Sequence, residues 1–295
     1  MTTSERGAPP GRPARLRIGA WAGLVPFVVF ALLFVGAPVS FLIIGSFTDQ
    51  DGLPTLQNYE ALASPNILTA FITSIEISLV TAIVGGIFGF LLAYAVILGG
   101  LPRFLRTALL TFSGVASNFA GVPLALAFIF TLGQLGLLTV FLKSIGIDPY
   151  AEGFTIYSKF GLELVYMYFQ FPLMVLIIAP AIDGLRPEWR EAAENMGASS
   201  LDYWRRIALP ILMPTLLGTM ILLFGNAFGA QATAYQLTSG LIPLVPVVIG
   251  TQIAGDVLHN PGLGYAMAMG MVGIMGVAIT IYTILQRRAE RWRRR

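Results

Sequence analysis

The sequence predicts an all-α membrane protein with six transmembrane helices. Hydrophobic residues make up 56% of the 295 positions and charged residues only 11%, whereas about 25% of the residues in a soluble domain are charged. This much apolar side chain exceeds what a soluble core can bury, so lipid is the expected solvent. Six segments reach the roughly 20 apolar residues that a membrane-crossing helix needs: about 18–46, 67–98, 105–132, 162–182, 209–235 and 261–285.

The first apolar segment has two interpretations, because arginines precede it as they precede a secretory signal peptide. Its apolar stretch is longer than the roughly 7–15 residues of a signal peptide, and no clear A-x-A cleavage site follows it. We therefore expect a retained first span within a single transmembrane domain at 18–286. A disordered cytoplasmic tail at 1–17 precedes this domain, and a basic cytoplasmic tail at 287–295 follows it.

The basic residues predict the orientation of the six spans. All but two of the 18 lie before span 1, between spans 2 and 3, between spans 4 and 5, or after span 6. Only Lys143 and Lys159 fall on the other side. Because cytoplasmic loops carry an excess of Lys and Arg, both termini are predicted in the cytoplasm and the segments 47–66 and 236–260 outside. The C-terminal arginines are interpreted as a topology anchor, and no nucleic-acid partner is expected.

A charged segment between spans 4 and 5, at about 183–209, predicts two short helices joined by a bend. Pro187 suits the first position of a helix. Gly197 is expected to end that helix in the left-handed conformation that glycine tolerates. Ser199 and Asp202 have the spacing of a capping box for a second helix, and Pro210 is expected to break the chain where span 5 begins.

Each of these short helices is predicted to carry an apolar stripe. The expected stripe residues are Trp189, Ala192, Ala193 and Met196 on the first helix, and Leu201, Trp204, Ile207 and Ala208 on the second. A passive connection between two spans needs only about four residues, whereas this segment has about 25 and presents aromatic side chains. It is therefore interpreted as a docking surface for a soluble partner, the alternative being a surface hairpin that only links two spans.

The same segment resembles a known family motif. Glu191-Ala192-Ala193 is followed after three residues by Gly197, and after nine more by Ile207, Leu209 and Pro210. This spacing is similar to the "EAA" loop of the inner-membrane permease subunits of bacterial binding-protein-dependent (type I) ABC importers. "NYEALA" in the first outside loop, "LGQLGLLTVFLKSIG" after span 3 and the six-span layout also resemble this family, so the likeness covers nearly the whole chain from about residue 18.

The resemblance implies a multi-pass protein of the bacterial inner membrane with several partners. The EAA loop is expected to couple the spans to a dimer of separate ABC ATPase subunits. The seven residues of the motif are the predicted coupling site: Glu191, Ala192, Ala193, Gly197, Ile207, Leu209 and Pro210. An extracytoplasmic solute-binding protein and a second permease subunit, forming a heterodimer, are the other expected partners, and a small molecule is the substrate.

The chain lacks residues for chemistry of its own. It has no G-x-x-x-x-G-K-[ST] phosphate loop, so ATP hydrolysis is assigned to a separate subunit. It has no cysteine and one histidine, His259, which excludes thiolate and multi-histidine metal sites. No enzyme activity, cofactor or metal is therefore expected.

Polar residues inside the spans are candidates for the solute path, because a charge at that depth costs roughly 2.5–3.5 kcal/mol on insertion scales. The candidates are Glu76, Asn118, Gln170, Asn226 and Gln231. The alternative is hydrogen bonding between helices or, for Glu76, a position near the outer headgroups.

The end of span 5, "FGNAFGAQATAYQLTSG", resembles the polyamine, ferric-iron and phosphonate branch of these permeases. This likeness suggests a polyamine as the solute, with ferric iron or a phosphonate as less favoured choices. The alternative to an ATP-driven importer is a secondary transporter or a channel. Neighbouring genes for a phosphate-loop ATPase and a secreted binding protein would distinguish the two, since neither alternative needs them.

Overall fold

The computed structural model describes residues 24–49, 51–254 and 259–291. The predicted tail at 1–17 and the last four residues of the basic tail lie outside these ranges. Within them the chain is helical, apart from turns and one isolated bridge between Thr48 and Pro54. Six helical segments are long and apolar enough to cross a membrane, which confirms the predicted fold class.

Twelve helices follow one another along the described chain. They are α1 (Val25–Ser46), α2 (Gln57–Ala61), α3 (Pro65–Leu98), α4 (Arg103–Ala116), α5 (Gly121–Leu132), α6 (Leu137–Ser144), α7 (Lys159–Asp183), α8 (Pro187–Asn195), α9 (Ser200–Phe228), α10 (Gln231–Thr238), α11 (Val245–Ala254) and α12 (Pro261–Arg291). Two of them contain a single π turn, at Leu32–Gly36 in α1 and at Trp204–Ala208 in α9.

The third span differs from the prediction. The sequence predicted one unbroken helix at 105–132, but the chain breaks at residues 117–120, where Ala120 is extended and Gly121 has a φ of +75°. Pro123 lies in the first turn of α5, a position that favours a new helix start and lacks the N–H that a continuing helix would use. The segment of membrane length is instead α5 followed by α6, at Gly121–Ser144.

The fifth span begins earlier than predicted, and Pro210 does not break it. Helix α9 runs without interruption from Ser200 to Phe228. Immediately before Pro210 the backbone forms the π turn, in which Leu209 N donates to Trp204 O. A π turn relaxes the regular helical ladder at the point where a proline removes a donor. The second short helix of the inserted segment is therefore the first part of span 5.

Helices α3 and α7 form the centre of the bundle. They approach closely along two glycines of α3: a Cβ added at Gly85 would lie 2.7 Å from Gln170 Cβ, and one at Gly89 would lie 2.6 Å from Met174 Cβ. Small residues at such seams let membrane helices pack tightly where the surrounding lipid offers no hydrophobic driving force. Helix α9 packs against both α3 and α7 and completes a three-helix core.

The segment at 236–260 was predicted as an outside loop, and it contains a helix. Helix α11 packs against α12 and α3, and Val245 N donates to the buried Ser74 Oγ at 2.8 Å. The short apolar helix Val245–Ala254 is only 10 residues long, too short to cross the hydrocarbon. It therefore covers the end of the bundle at which α7 and α12 begin.

Candidate functional site

The bend between α8 and α9 is built by a complete Schellman motif. Gly197 has a φ of +79°, which confirms the predicted left-handed conformation. Gly197 N donates to Glu194 O at 2.9 Å, and Ala198 N donates to Ala193 O at 3.0 Å. These bonds satisfy carbonyl groups at the end of α8 and fix the direction in which the chain leaves it.

The predicted capping box closes the other side of the bend. Asp202 N donates to Ser199 Oγ at 3.2 Å, and Ser199 N donates to Asp202 Oδ2 at 3.4 Å. Two donors at the start of α9 are thereby satisfied. Helix α8 and the start of α9, residues 187–208, thus form a hairpin with both ends of its bend fixed; we call it the coupling hairpin.

The buried and exposed residues of the coupling hairpin do not coincide with the two predicted apolar stripes. Ala193, Tyr203 and Ala208 are buried, with Trp189, Trp204 and Ile207 packed around them. Met196 and Leu201, which belong to the predicted stripes, are 80% and 76% exposed, and Ala192 is exposed as well. Each predicted stripe is therefore divided between residues packed in the hairpin and residues left exposed.

The seven motif residues lie in two groups. Glu191 and Ala192 are exposed on α8, beside the exposed Gly197, whereas Ala193 faces inward. Ile207 and Leu209 are partly buried at the root of the hairpin, next to Pro210. The tip therefore presents Glu191 and Ala192 together with two apolar residues, Met196 and Leu201.

Ion pairs lie at the end of the bundle that carries the coupling hairpin. On α8, Arg190 Nε donates to Glu194 Oε1 at 2.8 Å, and the Glu194 carboxylate raises the pKa of Arg190 above its ordinary value. At the root, Arg106 of α4 pairs with Asp183 at the end of α7. Glu191, the one acidic residue of the motif, takes part in neither of these ion pairs.

Gln170 is a candidate path residue that lies in the core. It is fully buried between α3, α7 and α9, and its Nε2 donates to Leu223 O at 3.0 Å and lies 3.5 Å from Thr81 Oγ1. Its Oε1 has no hydrogen-bond partner among the described residues. In this conformation Gln170 joins three spans, which is the interhelical hydrogen bonding named above as the alternative.

Glu76 pairs with Lys159 at the start of α7. Glu163, one helical turn after Lys159, lies within electrostatic reach of both. Glu76 is the twelfth residue of α3, so the part of α3 that precedes it is about 16 Å long. Because Glu76 lies beside the first residue of α7, this part of α3 extends past the start of α7. The structure thus places Glu76 towards the end of the bundle opposite the coupling hairpin, beside a lysine and a second carboxylate that are distant from it in sequence.

The other amides lie at helix ends. Asn118 is exposed at the break between α4 and α5, and its Nδ2 donates to Gly114 O at 2.9 Å. Asn226 is exposed in the last turn of α9. Gln231 begins α10 and lines a cavity of about 300 Å³ with Tyr235 and Thr251. The five candidates are therefore dispersed, and the described chain does not bring them together in one site.

A polar hollow of about 690 Å³ lies between the end of α1, the loop before α2 and the start of α12. Asp49, Asp51 and His259 line it, together with Asn58, whose Nδ2 donates to Thr48 O at 2.9 Å. Among the described residues no group of three or more His, Cys, Asp or Glu side chains is arranged to hold a metal ion. The hollow is thus a polar surface without a metal centre.

A family profile identifies this architecture. The profile described as "Binding-protein-dependent transport system inner membrane component" matches residues 91–295, which include the coupling hairpin and four of the six spans. The chain belongs to this family. It is an inner-membrane permease of the type I ABC importer class, in which ATP hydrolysis takes place on a separate subunit.

Curated relatives and solved structures agree with this membership. A probable sulfate transport system permease protein cysT of Nephroselmis olivacea is 25% identical over 80% of this chain and 78% of its own length. The sulfate permease CysT of Salmonella typhimurium is 26% identical over 68% and 69%. The fold matches a bacterial alginate ABC transporter complexed with a periplasmic protein with a TM-score of 0.73, at 17% identity over 92% of this chain and 94% of that one.

These comparisons do not support the polyamine, ferric-iron and phosphonate branch. That assignment depended on the short segment at the end of span 5. The two relatives just named are sulfate permeases, and the likeness extends over more than two thirds of the length of each.

Proposed function

We propose that this chain is one membrane-spanning subunit of an ATP-driven importer, and that the coupling hairpin is its contact with a dimer of separate ATPase subunits. The observation that carries the proposal is the tip of the hairpin. Its backbone is fixed by two capping motifs, yet it exposes Met196, Leu201, Ala192 and Glu191. A rigid element with an exposed apolar tip is suited to docking in a pocket of a soluble partner.

The test is co-purification of the ATPase with variants of the tip. Met196→Asp and Leu201→Asp each place a charge where an apolar contact is proposed, and burying an unpaired charge costs several kcal/mol. We expect each variant to reach the membrane at the normal level, to lose the ATPase and to lose uptake. Leu241→Asp is the matched control, because Leu241 is also 80% exposed but lies near the outer end. ATPase retention and normal uptake in both tip variants would falsify the proposal.

Two further partners complete the proposed assembly. We propose that a solute-binding protein docks at the outer end, over the polar hollow lined by Asp49, Asp51 and His259. We also propose that a second, different permease forms the other half of the passage. Support comes from the family description and from the alginate transporter, which was solved with a periplasmic protein bound. Native mass spectrometry of the purified complex should give one copy of this chain beside a second permease and two ATPase subunits.

Sulfate, or a small oxyanion like it, is the proposed solute, because sulfate is what the named relatives transport. The measurement is uptake of labelled sulfate by cells that express the whole system, with unlabelled sulfate, spermidine, ferric citrate and a phosphonate as competitors. Competition by sulfate alone supports the proposal. Uptake of labelled sulfate no higher than in cells that lack the system contradicts the proposal and leaves the importer assignment intact.

A cationic solute is the second candidate, and one observation favours it. Glu76 and Glu163 place two carboxylates beside the single ammonium group of Lys159, so the local charge is negative if all three are ionised. Glu76→Gln distinguishes the two candidates. If a cation passes this cluster, uptake should fall while the ATPase stays bound. If sulfate passes it, uptake should be unchanged or faster, because a repulsive charge has been removed.

A further inference from the structure

Two apolar clusters meet at the root of the coupling hairpin. The hairpin cluster is formed by Ala193, Tyr203 and Ala208, and the bundle cluster includes Ile178, Ile182 and Leu212. Leu185 and Trp204 pack against both clusters. Leu185 comes two residues after α7, so its contact with both follows directly from chain connectivity. Trp204 requires a different explanation, because it also contacts a helix that is distant in sequence.

That distant helix is α3. The Trp204 ring lies edge-on to Tyr94, with ring centroids 5.0 Å apart and an angle of 84° between the planes. It also lies 6.5 Å from the ring of Phe90, one turn before Tyr94, at an angle of 75°. Edge-to-face pairs at these separations are favourable and directional. Two aromatic contacts therefore join the Trp204 ring to α3.

The backbone holds Trp204 in a fixed position relative to the hairpin. It follows the capping box of Ser199 and Asp202 within the first turns of α9, and it is the first residue of the π turn. Tyr203, its neighbour, is buried in the hairpin cluster. Trp204 thus belongs to the hairpin by its backbone position, and the π turn separates it from the regular part of α9. Single π turns inside α-helices are frequent at functional positions.

Helix α3 is long enough to cross the membrane. Its 34 residues span about 51 Å. Tyr94 lies near one end, and Glu76 lies about 27 Å away towards the other. Between them, the Gly85 and Gly89 seam presents no side chains of its own to α7. Helix α3 is therefore long enough to join the hairpin end of the bundle to the end near Glu76.

We propose that Trp204 is a positioning residue that transmits movement of the coupling hairpin to α3, so that closure of the ATPase reaches the outer end of the bundle along this helix. The inference rests on the proposed docking of an ATPase at the hairpin. It adds a route: the hairpin acts on the adjoining spans α7 and α9 through the chain, and on α3 through Trp204 and Tyr94.

The test compares Trp204→Ala, Tyr94→Ala and Trp204→Phe in the complete transporter. Both alanine variants should keep the ATPase bound, because neither residue lies at the exposed tip. Uptake, and the stimulation of ATP hydrolysis by loaded binding protein, should fall together by about tenfold, within the usual range of coupling between sites. Trp204→Phe retains an aromatic edge and should restore most of both activities. Phe104→Ala, which removes a 74% exposed aromatic ring of α4, is the control and should behave as wild type.

A double variant isolates the contact. If Trp204 acts through Tyr94, Trp204→Ala with Tyr94→Ala should be no worse than either single change, because the second substitution removes nothing further. Multiplied effects in the double variant would overturn the inference, as would normal uptake in both single variants. Should Trp204→Ala fail to reach the membrane, Tyr94→Ala and Trp204→Phe decide the question.

The same measurements separate this inference from the proposed function. Loss of the ATPase from Met196→Asp, combined with normal coupling in Trp204→Ala and Tyr94→Ala, would leave the docking proposal standing and refute the transmission route. Retention of the ATPase and of uptake in Met196→Asp would refute docking itself.

Discussion

Gly197 ends α8 with a φ of +79°, and no atom lies within 4 Å of the position that its Cβ would occupy. A side chain at this position would therefore meet no neighbour, and its cost is the backbone conformation alone. For most L-residues the left-handed conformation costs about 1–2 kcal/mol, whereas asparagine adopts it more readily. The two effects of a substitution here, steric and conformational, are thus separable.

We predict that Gly197→Val weakens the coupling hairpin and Gly197→Asn does not. Valine is β-branched and bulky, so a positive φ is strongly disfavoured and the bend should open, changing the direction of α8. The valine variant should reach the membrane normally but retain little ATPase, whereas the asparagine variant should retain both ATPase and uptake. The measurement is ATPase co-purification alongside solute uptake. Equal behaviour of the two variants would mean that the bend geometry does not matter.

Local residue patterns were predictable and distant contacts were not. The glycine bend and the Ser199–Asp202 capping box follow from residues within a few positions of each other, and the structure confirms both. The hydrogen bond that the buried Gln170 makes to α9 and the ion pair between Glu76 and Lys159 each join residues more than 50 positions apart in the sequence. A single sequence contains no information on which helix faces which, so these contacts required the packed structure.

The close contact between α3 and α7 at Gly85 and Gly89 predicts that a larger side chain there separates the two helices. A Cβ at Gly89 would lie 2.6 Å from Met174 Cβ and 2.9 Å from Phe171 O, so Gly89→Val must push the helices apart. Overpacking of this kind costs about 1–3 kcal/mol, and the amount of chain in the membrane should fall. Gly273→Val on α12 is the control, because no atom lies within 4 Å of a Cβ there.

The measurement is the level of each variant in membranes and its resistance to proteolysis. A wild-type level and resistance for Gly89→Val would show that the seam tolerates separation. A loss in Gly273→Val equal to that in Gly89→Val would indicate that any added side chain in a span is harmful, and the packing argument would lose its support.

Element boundaries were less predictable than the existence of the elements. Hydropathy located six spans but merged α4 with α5, because both are apolar and only the proline and backbone at 117–123 separate them. The same measure placed the start of span 5 at Leu209, since the residues before it are charged, although the helix begins at Ser200. Composition identifies the part of a helix that lies in lipid, whereas capping decides where the helix begins.

The orientation of the whole molecule remains a prediction, and the chain is well suited to test it because it contains no cysteine. Single cysteines at Ser200, in the coupling hairpin, and at Glu152, before α7, lie at opposite ends of the bundle, and both positions are exposed. In intact cells an impermeant maleimide should label the Glu152 variant alone, and the Ser200 variant should react only after permeabilisation. Labelling of the Ser200 variant from outside would reverse the topology and remove the ATPase from reach of the hairpin.

Family membership was predictable from the sequence, and the solute was not. The seven motif residues stand in register within one charged segment, which is a long enough pattern to identify a family, and the profile confirms the family. The solute has no comparable pattern, because the five polar candidates are dispersed over the bundle and Gln170 is engaged in helix packing. An importer that receives its solute from a binding protein needs few selective contacts of its own.

The π turn at Trp204–Ala208 is one residue longer than an α-helical turn, so the chain carries an insertion at the junction of the hairpin and span 5. Deleting a single residue from this turn would convert it to regular helix without cutting the chain. Each residue of an α-helix corresponds to about 100° of rotation around its axis. A π turn takes up its extra residue locally, so this deletion would leave the hairpin aimed as before. Deleting one residue from the regular part of α9 would instead swing the hairpin by roughly that angle, while every residue of its tip stayed the same.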